Sequence, residues 1–167
     1  NPDDPDSQFV ENYLDITSPS EPLMNGGLLD GRAFVFSSER LFWLYPEPGE
    51  RGWVLRAQES GCNKGLFSRW AFCIGDSKIF FLSKDGIYVT QGGEPVLLTN
   101  DLLPIFPHDG KLGETTNGTA PPDLSQVSSL RMTYSNRYLY FTYIGTDGLR
   151  KTLSLSTEGR GWSLNSY

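Results

Sequence analysis

His108 is the single histidine of the chain, and it stands in Phe-Pro-His-Asp-Gly beside Asp109. A Ser-His-Asp hydrolase would have to use it as the base. No G-x-S-x-G elbow accompanies it, so a solvated loop histidine is the plainer reading, although loops are where sites are carried. The two cysteines, Cys62 and Cys73, form no C-x-x-C pair, and there is no H-E-x-x-H. One histidine with two separated cysteines is a poor zinc set. The acidic cluster Asp3, Asp4 and Asp6 lacks the glycine and distal glutamate of a calcium loop, and Asn25–Gly31, though glycine-rich, has neither phosphate-cradle spacing. No metal and no cofactor is expected. Of the 20 acidic residues, none stands in a context that marks a general acid or nucleophile for glycoside hydrolysis. Catalysis is not expected. Asn117-Gly-Thr is a glycosylation sequon, with meaning only in a eukaryotic secretory setting.

Binding has more to work with. Arg51-Gly-Trp53 and Arg160-Gly-Trp162 repeat one motif, and arginine beside tryptophan is the chemistry of contact hot spots. Arg51, Trp53, Arg160, Trp162 and His108 are therefore the candidate contacts for a sugar or a protein partner. Against this stands a packing role: each tryptophan fills a gap between repeats while its glycine makes a turn. A packing need recurs with the fold, whereas a binding site usually does not.

These residues have to be held by something, and the repeat shows what. Ala33–Tyr45 (AFVFSSERLFWLY), Ala71–Ser83 (AFCIGDSKIFFLS) and Arg131–Tyr143 (RMTYSNRYLYFTY) align without a gap. Each is an apolar run, a polar four-residue turn and a second aromatic run. The spacing of the copies is near the roughly 40–50 residues of a four-stranded propeller blade. LFWLY and IFFL do not alternate with polar residues, so both faces of those strands should be covered. The expected fold is all-β, with about three propeller-like four-stranded meanders and a sandwich as the alternative. Residues 1–30 read as lead-in, with a first strand at Phe9–Thr17 and a turn-rich connector after it. Residues 31–60 form copy one, 61–100 copy two, 101–126 an irregular surface loop and 127–167 copy three.

Composition agrees with this. Ten phenylalanines, eight tyrosines, four tryptophans, 18 glycines and 11 prolines suit short aromatic strands joined by turns. The net charge of −6 with scattered basic residues gives no footprint for nucleic acid or an anionic membrane. No apolar run is long enough to span a bilayer. Two cysteines make no disulfide framework. Cys73 reads as a small buried hydrophobe, while a Cys62–Cys73 bridge is left open by sequence. The chain opens on Asn1, which reads as a processed product or an excised piece.

The stretch from NPDDPDSQ through DGRAFVFSSERLFWLYP, with FSRWAFCIGDSKIFFLSKDGIYVTQGG and the last aromatic repeat, resembles propeller-type proteins encoded by tailed phages and prophages. There DGR-x-(F/Y)-V-F followed by RL(F/Y)-x-L recurs as a blade signature. The resemblance implies a virion or tail-associated structural or receptor-facing role, a virion location and no catalysis; it supplies no functional residues. Ser83–Val89 also resembles the Ser-x-Asp-x-Gly turn of sialidase-type propellers, one residue short, and that turn is a fold element. Closed propellers need about four to eight blades and three are visible. Self-association or a protein partner is thus expected, with a lectin-like glycan-binding domain as the alternative and a glycan-active propeller enzyme behind it.

Overall fold

The computed structural model describes residues 16–49, 52–107, 111–158 and 161–166. The described residues form three four-stranded antiparallel sheets, each a simple meander. Sheet I contains β1 (Leu23–Leu29), β2 (Arg32–Ser37), β3 (Leu41–Gly49) and β4 (Gly52–Glu59). Sheet II contains β5 (Phe72–Gly75), β6 (Lys78–Ser83), β7 (Gly86–Thr90) and β8 (Val96–Leu97). Sheet III contains β9 (Arg131–Ser135), β10 (Tyr138–Ile144), β11 (Arg150–Ser156) and β12 (Trp162–Ser166).

The same turn opens each sheet. Asp30-Gly31, Asp76-Ser77 and Asn136-Arg137 all place both central residues at positive φ, the two-residue hairpin geometry that matches strand twist. Aligning the sheets on these turns shifts the first sequence copy by one strand. AFVF and LFWLY are the second and third strands of sheet I, whereas AFCI and IFFLS are the first and second of sheet II. The stretch before them, expected as connector, is β1. Its glycines are strand residues with a steric purpose: a Cβ at Gly26 would lie 2.4 Å from the Phe34 carbonyl oxygen, and one at Gly27 would press on the Phe34 ring. Of the strand expected at Phe9–Thr17, residues 9–15 lie outside the described residues, and Ile16 and Thr17 are not in a strand.

Counting from each turn, the sheets face one another in a constant sense. The third and fifth residues after the turn in sheet I, Phe34 and Phe36, pack with Ile79 and Phe81, the second and fourth in sheet II. The third and fifth in sheet II, Phe80 and Leu82, pack with Leu139 and Phe141, the second and fourth in sheet III. Sheet II is thus covered on both faces, which is why its run IFFL does not alternate. Aromatic pairs mark both seams. Phe36 and Phe81 have centroids 4.8 Å apart, and Phe80 stacks on Tyr134 at 5.4 Å. Gly75 makes the second seam fit, since a Cβ there would come within 2.1 Å of the Tyr134 ring.

The 101–126 segment is irregular but is not confined to the surface. It begins in the 3-10 helix Asn100–Ile105, and Ile105 and Phe106 are buried in the seam between sheets II and III. Both cysteines are free thiols, so the bridge left open by sequence is not made. Cys62 is buried despite its turn-like surroundings, and Cys73 packs against the second seam.

The two ends of the stack differ. On the outer face of sheet I the register brings together Leu28, Ala33, Leu44 and Ala57, with Val35 and Phe42 beside them. The strip runs on along β3 and β4 through Pro46 opposite Leu55 and Pro48 opposite Trp53. Those last rungs have no β2 neighbour, so Tyr45–Gly49 with Gly52–Arg56 projects as a two-stranded arm about 17 Å long. The outer face of sheet III is lined instead by hydroxyls. Tyr140 lies between Thr133 and Ser154, and Thr142 opposite Thr152. Thr142 bonds Thr152 at 3.0 Å and Ser154 bonds Ser163 at 2.6 Å.

Candidate functional site

A cleft of about 540 Å³ lies between sheets II and III. Its walls come from the outer strands, where β8 is only two residues long and leaves a gap that β12 does not fill. The floor is apolar, made by Phe80, Leu155 and Trp162, and Lys78, Asn100 and Asp101 stand among the polar lining. Trp162 owes its position to Gly161, whose φ of +145° turns the chain into β12. The indole Nε1–H donates to the Leu98 carbonyl at 3.0 Å, so the ring offers the cleft an apolar surface with its own donor already used. An apolar floor with a few polar groups near it can hold an amphipathic group such as a sugar ring or an extended side chain.

Trp162 packs on the second seam and also lines the cleft. Trp53 does not pack between sheets. It follows Gly52, also at positive φ (+131°), but lies on the arm and is 75% exposed. The pairs Gly52-Trp53 and Gly161-Trp162 occupy matching places, at the start of the fourth strand of sheets I and III, and differ because β3 and β4 outrun the rest of sheet I. The tryptophans belong to different sheets and do not converge. Arg51, Arg160 and His108 lie outside the described residues.

A second polar cluster was not legible in the sequence. Glu21, largely buried, accepts from Arg40 Nε at 2.9 Å and Nη2 at 3.0 Å and from Ser37 Oγ at 2.5 Å. Arg40 also pairs through Nη1 with Glu59. Two small cavities, of about 240 and 410 Å³, open on either side of Arg40. Two carboxylates with an arginine are the minimum a glycan-active site would need, but here the arginine joins the acids to each other. The bonds from Arg40, and then that from Ser37, hold the Glu21 carboxyl below the usual glutamate range, whereas a general acid needs its proton held more tightly. The arrangement pins residues 16–22 to the sheet. Only three-dimensional contact joins Glu21 to Arg40, and no spacing in the chain announces it.

The thiols are equally unsuited to nucleophilic work. Burial pushes the Cys73 thiol up to about 12 and raises Cys62 as well, the reverse of what a reactive cysteine requires. Among the described residues no group of three or more His, Cys, Asp or Glu is placed to hold a metal ion, and no helix is long and apolar enough to cross a membrane. No protein-family model matches the chain, and no curated protein is recognisably similar to it.

Proposed function

We propose that the chain is a non-catalytic structural and interaction module built from propeller-type blades, and that it serves in the virion or tail assemblies of tailed phages and prophages. The constant sense of stacking is the observation that carries this reading. In each seam the third and fifth residues after one sheet's opening turn meet the second and fourth of the next. Units repeated around or along an axis make that contact, opposite faces meeting each time. Two sheets turned face to face as a sandwich would present like positions to each other, so the stacking favours propeller-type blades.

The residues behind the phage resemblance fit a structural role. Asp30, Gly31 and Arg32 form the opening turn and the start of β2, and Phe34 and Phe36 are the face that sheet I presents to sheet II. They are packing residues, as a blade signature should be. The test is to induce a lysogen that carries the coding sequence and analyse gradient-purified particles by mass spectrometry. Peptides of this chain enriched in the particle band at constant stoichiometry are the expected result. Peptides confined to the soluble lysate would sink the virion reading. The cleft beside Trp162 supports glycan binding as a second reading, and a glycan array comparing the native chain with Trp162→Ala would detect it.

A further inference from the structure

We infer that the cleft between sheets II and III is a binding site for an uncharged oligosaccharide, laid along the strands with its rings over Trp162 and its ends met by Lys78 and Asp101. This rests on the glycan reading of the cleft and adds the class of sugar, its direction and the residues that select it.

The walls of the cleft are rows of side chains that face each other. On sheet II, Phe80, Val89 and Val96 share one row. On sheet III, Leu155 and Trp162 share the row that meets it. Toward the core the rows touch, with Phe80 and Leu155 buried in one cluster. Toward the rim they part, and Val96 is left 61% exposed. An open cleft with apolar walls favours an occupant that brings C–H groups of its own. An extended peptide is held by pairing its backbone with a strand edge, but here side-chain rows border the space. The electron-rich face of an indole attracts the polarised C–H groups of a pyranose ring, and the Trp162 ring is fixed in place by its bond to the Leu98 carbonyl.

The polar groups choose among sugars. Lys78 is the first residue after the Asp76-Ser77 turn and, two residues before Phe80, shares its face. Leu98 donates its N–H to the Ile87 carbonyl, which sets it level with Leu82 toward the other end of the sheet, and Asp101 lies beyond it. Ammonium and carboxylate therefore stand at opposite ends of the cleft, with about 13 Å of strand between the Lys78 and Leu82 rungs. That length takes more than one sugar ring. Both side chains are exposed, and neither is in an ion pair among the described residues. An acidic sugar would be drawn to Lys78 and repelled by Asp101, and a basic one the reverse, so neither suits the whole cleft. A neutral chain of hydroxyls suits both ends. Each hydroxyl can donate a hydrogen bond to Asp101 or accept one from Lys78.

An NMR titration of the isotope-labelled 167-residue chain tests this. It is followed at the Trp162 indole N–H, which Trp162→Phe identifies among the signals of the four tryptophans. The probes are maltotriose, cellotriose, chitotriose and lactose, with trigalacturonic acid and sialyllactose as acidic counterparts. Each is added to about 20 mM, so that millimolar affinity registers. The expected result is a saturable shift with a neutral sugar that is unchanged in Trp53→Ala. Affinity should fall about tenfold in Asp101→Asn and in Lys78→Gln, each of which turns a charged hydrogen bond into a neutral one. These three variants change exposed side chains, and the spectrum itself reports their folding. Shifts with the acidic sugars alone overturn this proposal and leave the glycan reading standing, whereas no shift with any sugar overturns both. A neutral-sugar shift that neither Asp101→Asn nor Lys78→Gln weakens also overturns it, since the charged ends would then select nothing.

Discussion

Glu21 shows how a single side chain can fasten a segment that sequence reading leaves unattached. Its carboxylate is held in the charged form by Arg40 and Ser37, so its folded-state pKa lies below the unfolded value. The stabilisation is therefore complete above the ordinary glutamate value of 4.5 and is lost as the pH falls through the lower folded value. Thermal melts from pH 7 to pH 3 should show a decline that is shallower in Glu21→Gln, which begins less stable. Gly75 makes the opposite kind of contribution, by having no side chain. A methyl group there would strike the Tyr134 ring, itself stacked on Phe80. Gly75→Ala should cost about 1–3 kcal/mol, measured as a lower urea midpoint at unchanged slope. The cysteines give a third test. With Cys62 buried and both thiols held in the neutral form, a thiol reagent at pH 8 should label neither until denaturant is added.

At the scale of strands and sheets, position decides what the same chemistry is worth. Phe80 and Tyr140 are the third residue after their turns, but Phe80 is buried in a seam while Tyr140 faces outward. Phe80→Ala should cost about 3–5 kcal/mol, and Tyr140→Ala less than about 1 kcal/mol, close to a surface change. A small difference between the two would mean that the sheets do not stack in the sense described. Hydrogen exchange should be slowest in β6 and β7, covered on both faces, and fastest in the arm. Much of this was open to sequence. The unbroken run Ile79–Leu82 announced a strand between two layers, and the aromatic repeat announced several alike sheets. The first copy was set one strand out of register because LFWLY imitates IFFL in hydrophobicity, while the equivalence lies in the turns Asp30-Gly31 and Asp76-Ser77. Gly26 and Gly27 read as connector since glycine signals turns far more often than strands. The cleft was half legible, through Trp162; its walls depend on β8 stopping after Leu97, where Thr99 Oγ1 instead accepts from the Ile87 N–H and the chain turns into the 3-10 helix.

For the whole molecule, the stack has a direction. One end offers an apolar strip and an arm. At the other, Thr142 bonds Thr152 and Ser154 bonds Ser163, so these hydroxyls are saturated within the sheet and ask nothing of a neighbour. Replacing Thr152 and Ser154 with valine should make that face adhesive, and turbidity at high concentration would report it.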